Sequence, residues 1–342
     1  MRDFIKKVSR AEHLSMEEMM EASHLLFNQN TSKEDIKDFL KALSKKGETA
    51  NELAGLAKAI TSFAQSLDLP EVEVLDICGT GGDKSNSFNI STTSAFVLAA
   101  AGVSVVKNGN RKISSEAGSI DILEAIGIKV DLGLPSAVHT LQEENLAFLF
   151  APAIYPMMKR IGEIRLEIGE PTIFNLVGPL TNPFNLNTQY VGVYRPDFLM
   201  EYAKVLHLLG RERAVVVNGC GGLDEASLSG KNSLVLMEKG DLIPFQLSPD
   251  EVGLKIYSNS SIKGGGPVEN ADILQKVLKG VDSAYLDTVL LNAGIGLFTK
   301  GAVSSIQEGV KLARDTILSG KAKKKLEAIV ELTSSSKGVL VS

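Results

Sequence analysis

Between Pro70 and Phe245 short runs rich in β-branched residues alternate with stretches of helical periodicity, and this alternation constrains the fold more than any other feature. Residues 72–77, 103–106, 147–150, 190–193 and 214–217 read as strands, and residues 93–101 and 120–126 as helices between them. Strands joined through helices return parallel, which predicts an α/β unit with a mainly parallel central sheet covered by helices. Residues 233–237 and 242–245, turning at Gly240-Asp241, read as a hairpin added to that sheet. From Asn270 onward the pattern is helical again, with Ser305 and Glu308 spaced as a capping box.

The first seventy residues carry a different signature. Ser15 with Glu18, Thr31 with Glu34 and Thr49 with Glu52 each have the spacing at which a hydroxyl and a glutamate satisfy orphan helix amides reciprocally. Gly47 supplies a stop after the second helix. A chain of 342 residues has room for about two domains. We therefore expect a small all-helical domain over residues 1–69 and a larger α/β domain over 70–160 and 187–342. Part of residues 161–186 joins the helical domain; with Pro171, Pro179, Pro183, Gly162, Gly169 and Gly178 it reads as a crossing loop or a hinge.

Composition removes several classes of function. Apolar content of 44% and charge of 23% are those of a folded globular chain. A net charge of −5 leaves no basic footprint for nucleic acid. The local run Lys321-Ala322-Lys323-Lys324-Lys325 reads as a solvated face near a helical C-terminus. Cys78 and Cys220 are too few for a disulfide framework and read as reduced core residues. The N-terminus lacks the apolar run of a signal peptide and no segment is apolar enough to span a bilayer, so a cytoplasmic location is expected. The four histidines are scattered without metal-ligand pairing, and no Gly-x-Ser-x-Gly elbow is present.

Three segments carry chemistry. In residues 76–93 a strand runs into Gly79-Thr80-Gly81-Gly82-Asp83-Lys84, and Ser87, Asn89, Ser91 and Thr92 then open a helix. Glycines let backbone amides approach an anion, and the helix start adds the favourable end of its dipole. The spacing fits neither a dinucleotide fingerprint nor a Walker loop. In residues 107–119 the next strand is followed by Lys107, Asn108, Gly109, Asn110, Arg111, Ser114, Ser115 and Ser119, a natural phosphate cradle. Both loops leave carboxyl ends of strands, where parallel sheets bind ligands. Finally, Asp224 and Glu225 lie side by side on a loop after residues 214–217. Their repulsion would be relieved by magnesium bridged to a polyphosphate.

These segments, with Phe174-Asn175-Leu176, Gly178-Pro179-Leu180-Thr181-Asn182-Pro183, residues 249–254 and Asn292-Ala293, resemble the anthranilate phosphoribosyltransferases over essentially the whole chain. The resemblance implies a homodimer formed through the helical domain and a donor, 5-phosphoribosyl 1-pyrophosphate, held with Mg2+, two ions per subunit. Gly79, Gly82, Asp83, Ser87, Asn89, Ser91, Thr92, Lys107, Asn108, Gly109, Asn110, Arg111, Ser114, Ser115 and Ser119 would surround the donor. Ser91, Asp224 and Glu225 would hold metal, while Gly79, Asn110 and Arg165 would bind anthranilate. No residue is assigned as general acid or base. The chain departs from the family at Asn108 and Tyr155, where histidine is usual, and at Pro171, where arginine is usual. A pyrimidine nucleoside phosphorylase, and a non-catalytic paralogue that binds nucleic acid, are the alternatives.

Overall fold

The computed structural model describes residues 1–64, 69–111, 116–130 and 133–335. Four helices open it: α1 (Arg2–Ser9), α2 (Met16–Phe27), α3 (Lys33–Lys46) and α4 (Ala50–Ser62). Ser15 and Thr49 form the expected capping boxes with Glu18 and Glu52. The cap of α3 is Ser32, not Thr31. The Thr31 hydroxyl turns back to the Leu25 carbonyl at 2.7 Å, and Ser32 accepts the Asp35 N–H at 3.1 Å. Gly47 ends α3 with a φ of 89°. The buried Lys46 ammonium lies 2.9 Å from the buried Glu52 carboxylate, which also accepts the Leu14 N–H at 2.9 Å. One ion pair thus fastens the α1–α2 loop to the α3–α4 loop.

The sheet has seven strands in the order β3-β2-β1-β4-β5-β6-β7. Parallel strands β1 (Leu75–Gly79), β2 (Val105–Gly109), β3 (Leu146–Phe150), β4 (Thr188–Gly192) and β5 (Arg213–Asn218) are followed by antiparallel β6 (Asn232–Glu238) and β7 (Asp241–Leu247). β1 starts at Leu75 and β2 reaches Gly109, so both run deeper into the glycine segments than their apolar residues alone indicate. The hairpin turns one residue earlier than expected, at Lys239-Gly240 with φ of 51° and 95°. A two-residue turn of this hand needs positive φ at both positions, and Asp241 is already paired with Glu238.

Helix α5 (Ile90–Ala100) connects β1 to β2, and α6 (Ser119–Ala125) and α7 (Leu134–Glu144) lead to β3. The passage from β3 to β4 carries α8 (Ala151–Ile154), α9 (Met158–Ile168), α10 (Phe174–Val177) and a 3-10 turn, Gly178–Leu180. The segment expected as a loop or hinge is therefore largely helical. Gly162 is absorbed inside α9, Gly169 caps it at φ 71°, and Pro179 occupies a helix start, where no N–H is missed. Helix α9 lies against the bundle: Arg160 donates to the carbonyls of Asn28 and Thr31 at 2.8 and 2.5 Å, and Lys37 pairs with Glu167.

Helix α11 (Leu199–Leu208) joins β4 to β5, and α12 (Pro267–Leu278), α13 (Ala284–Lys300), α14 (Ile306–Leu318) and α15 (Lys321–Ser335) complete the described chain. The lysine run opens α15 rather than ending a helix, because Gly320 at φ 77° breaks the chain just before it. Cations at a helix start oppose its dipole; Lys325 is offset by Glu144 at 2.5 Å. Cys78 is buried, Cys220 is partly exposed, and both are free thiols.

Strand β5 shows how the sheet is covered. Val215 and Val217 enter a core with α5 and α13, whereas Ala214 and Val216 enter a second core with α11 and the helical bundle. Strands run outward from β1 to β3 and then return to the other side of β1. The connections therefore reverse between β1 and β4, the place where such sheets open a crevice.

Candidate active site

The ends of β1, β2, β4 and β5 converge at that reversal. Lys107, Asn108 and Gly109, expected in a loop, are the last residues of β2. Successive side chains of a strand point to opposite faces. Lys107 consequently turns toward α5, where its buried ammonium donates to the Ile77 carbonyl at 2.9 Å and to Ser91 Oγ at 3.0 Å. Asn108 turns the other way, and its amide nitrogen lies 3.5 Å from both the Thr181 carbonyl and the Thr181 hydroxyl. One strand thereby serves both sides of the crevice.

Asn89 is the N-cap of α5 but makes no side-chain cap bond, and Ser91 and Thr92 follow in the first turn, buried. Ser91 lies beside Glu225 and, through its hydroxyl and its backbone N–H, favours the charged carboxylate. Glu225 is pushed up to about 7 by burial and by Asp83, against the lowering effect of Lys107 and Ser91. Asp224 accepts the Gly81 N–H at 2.6 Å. Burial, then Asp83 and Glu225, raise the Asp224 carboxyl well above its ordinary range. A Cβ on Gly79 would strike the Asp224 carboxylate, and one on Gly192 the Asp224 carbonyl. Gly79 is thus bare to admit Asp224, a reason additional to any approach of a ligand.

Asp83 Oδ2 is buried without a hydrogen-bond partner, while its other oxygen accepts the Ser85 N–H at 3.0 Å. Three carboxylates thus stand together, one of them with an orphaned oxygen, and Lys107 favours the charged form of Glu225. That donor set fits a divalent cation. Among the described residues no three His, Cys, Asp or Glu side chains are arranged to enclose a metal. Magnesium suits such a site, since it retains waters and phosphate oxygens and needs one or two carboxylates.

Gly81 and Gly82 have φ of 71° and 88°, and Gly82 lies against the Tyr194 ring. Ser87 forms an antiparallel bridge with Lys263. The strap at residues 262–266 was not anticipated from sequence. It donates the Gly264 N–H to the Asn86 carbonyl at 2.8 Å and accepts the Phe88 N–H on the Ile262 carbonyl at 3.1 Å, holding the first loop from outside. The signal was Gly264-Gly265-Gly266 followed by Pro267 at a helix start: a Cβ on Gly264 would meet the Phe88 backbone.

Asn110 closes its own turn. Its carbonyl accepts the Ile120 N–H at 3.2 Å and the Ser119 hydroxyl at 3.4 Å, and its side chain accepts the Arg111 N–H at 2.8 Å. A Cβ on Gly109 would meet the Ser119 hydroxyl. Arg111 is forked onto Glu124 and lies over Phe150, so its guanidinium is turned to α6 and β3. Ser114 and Ser115 lie outside the described residues.

Arg165, in the last turn of α9, donates to Asn175 Oδ1 at 3.1 Å and lies over the Phe174 ring. Burial lowers its pKa, and no carboxylate among the described residues offsets that effect. Two of the family departures meet at one atom: the Tyr155 hydroxyl donates to the Thr181 carbonyl at 2.8 Å, beside the Asn108 amide. Pro171 accepts the Ser44 hydroxyl on its carbonyl at 3.1 Å, a contact to the helical bundle.

A helical bundle fastened to a reversing α/β sheet with a carboxylate-lined, glycine-walled crevice is the build of a two-domain glycosyl transferase. Residues 2–64 match the helical bundle domain of a glycosyl transferase family and residues 71–323 its a/b domain. The anthranilate phosphoribosyltransferase of Listeria monocytogenes serotype 4a is 52% identical over 326 residues, 95% of this chain and 96% of that one. The crystal structure of the Thermus thermophilus enzyme superposes with a TM-score of 0.92 at 40% identity, covering 97% of this chain and 100% of that one. The Saccharomyces cerevisiae enzyme in complex with PRPP and Mg gives 0.88 at 31% identity, with 97% of each chain covered. This chain belongs to the anthranilate phosphoribosyltransferase family. It is a pentosyltransferase that moves the phosphoribosyl group of 5-phosphoribosyl 1-pyrophosphate onto the amine of anthranilate. Neither the phosphorylase nor the nucleic-acid alternative is supported by these relatives.

Proposed function

We propose that the crevice between β1 and β4 binds the donor with two Mg2+ ions, and that anthranilate enters from the Arg165 side. The observation that carries this reading is the half-buried Asp83 grouped with the buried Asp224 and Glu225 beside the free start of α5. Ser91, Asp224 and Glu225 would hold metal. Gly79, Gly82, Asp83, Ser87, Asn89, Thr92 and Lys107 to Arg111, with Ser119, would line the donor. Gly79, Asn110 and Arg165 would receive anthranilate, the guanidinium forking onto its carboxylate.

When bound, magnesium supplies charge neutralisation for the departing pyrophosphate. The remaining work belongs to the chain. Lys107 holds Ser91 beside Glu225, and both favour the charged form of that carboxylate where the couplet faces α5. Arg165 sets the acceptor's angle. In the transfer the bond from the anomeric carbon to pyrophosphate oxygen breaks and a bond to the amine nitrogen forms; the amine then releases one proton. An aromatic amine is neutral and nucleophilic near pH 7, so positioning and electrostatics suffice.

The helical domain over residues 1–69, joined by part of 161–186, is supported by the contacts of Glu167 with Lys33 and Lys37 and of Pro171 with Ser44. We assign it the dimer contact. No described helix is long and apolar enough to cross a membrane, and we place the protein in the cytoplasm. The test uses anthranilate's own fluorescence: with donor and Mg2+ the signal should fall as the amine is substituted. A signal that stays constant with active donor present rejects the reading.

A further inference from the structure

We infer that Asn292, in the middle of α13, is a positioning residue that clamps the acidic couplet for its cation; the inference rests on the assignment of Asp224 and Glu225 to metal. Asn292 is fully buried. Its Oδ1 accepts the Ala226 N–H at 3.0 Å and the Tyr190 hydroxyl at 2.7 Å. Its Nδ2 donates to the carbonyls of Ala226 and Thr288, each at 2.9 Å. Both donors and both lone pairs of the amide are used, so its orientation is fixed.

Ala226 directly follows Glu225, and both of its main-chain groups are gripped by this one side chain. Tyr190 belongs to β4 and lies two residues before Gly192, whose bare Cα receives the Asp224 carbonyl. On the far side of the couplet the Gly219 N–H holds the Leu223 carbonyl at 2.8 Å. The loop is therefore pinned before Asp224 and after Glu225. Two buried carboxylates of like charge would otherwise drift apart toward water, since separation lowers their repulsion and restores hydration. A clamp that keeps them together maintains the arrangement a cation requires, which is how outer partners act on metal sites generally.

The test compares Asn292→Ala, Tyr190→Phe and Leu297→Ala in the full chain. The readout is the Mg2+ concentration at half-maximal binding of 5-phosphoribosyl 1-pyrophosphate by calorimetry, without anthranilate. Urea unfolding and the anthranilate KM are measured in parallel. Asn292→Ala should raise the Mg2+ requirement on the order of tenfold or more, with the anthranilate KM changed less than about twofold. Tyr190→Phe leaves three of the four bonds and should raise it about two- to threefold. Leu297, also buried in α13, makes none of these bonds, and its truncation should lose stability without moving the Mg2+ requirement. An unchanged requirement in folded Asn292→Ala, or an equal shift in Leu297→Ala, overturns the inference. If Asn292→Ala does not fold, Tyr190→Phe decides: a rise supports the clamp and no rise overturns it. The metal assignment is judged separately by Asp224→Asn with Glu225→Gln. A normal Mg2+ requirement there rejects the assignment, whereas its loss beside a normal Asn292→Ala rejects the clamp alone.

Discussion

The carboxylate of Asp224 occupies the space that a side chain on Gly79 would fill, and the Gly81 amide, two residues on, donates to it at 2.6 Å. The glycine loop after β1 and the acidic loop after β5 are consequently one unit. Disturbing either disturbs both.

Replacing Gly79 by Val should therefore displace Asp224 as well as narrow the donor path. Overpacking of this kind costs about 1–3 kcal/mol. We expect a melting temperature lower by roughly 2–10 °C and donor kcat/KM reduced about 100-fold or more. A variant with wild-type donor kinetics would show that Asp224 need not stand where it does.

Arg165 carries a half-buried charge with one amide partner and no counter-ion among the described residues. Arg165→Ala should raise the anthranilate KM on the order of 100-fold and the donor KM far less. Arg165→Lys should recover little, since an ammonium cannot reproduce the planar fork. Equal effects on both substrates in steady-state kinetics would remove Arg165 from the acceptor site.

Lys46 and Glu52 form a buried pair, with Glu52 also serving Leu14 and Thr49. Glu52→Ala leaves the ammonium buried and several donors unmatched, which should cost about 3–5 kcal/mol in urea unfolding. A loss below about 1 kcal/mol would mean the bundle does not depend on this pair.

Asp76 bears on pH dependence. Burial pushes its carboxyl from 3.8 up to about 6, against the lowering effects of Lys107, Asn182 and Arg211. A raised carboxyl stabilises the fold fully below the unfolded value and loses that contribution as pH climbs through the folded one. Stability attributable to Asp76 should thus fall by about 2 kcal/mol between pH 4 and pH 7. Asp76→Asn should abolish that part of the slope in urea midpoints measured across this window. A variant with the same slope as the parent would assign it to other groups.

Much of this was legible in the sequence because local rules decided it. Ser15 and Thr49 cap helices wherever the hydroxyl and glutamate meet, and the β-α alternation leaves few arrangements beyond a parallel sheet. The misreadings arose where tertiary contacts overrule local signals. Prolines and glycines at residues 161–186 read as irregular, yet Gly162 lies inside α9, which is held by its packing on the bundle. Lys107 reads as a loop cation because a buried lysine in a strand depends on acceptors from Ile77 and Ser91, distant in sequence. The strap at residues 262–266 and the grip of Asn292 on Ala226 join segments far apart along the chain, which no local pattern reveals.

A cation held at Ser91, Asp224 and Glu225 against the donor's diphosphate is the claim on which the rest depends. The direct measurement is a crystal grown with 5-phosphoribosyl 1-pyrophosphate and Mn2+, read by the anomalous signal of manganese. Metal peaks are expected within coordination distance of Asp224 or Glu225 and of the diphosphate, near Ser91 and the start of α5. Donor and metal bound with those carboxylates uncoordinated and remote would contradict it.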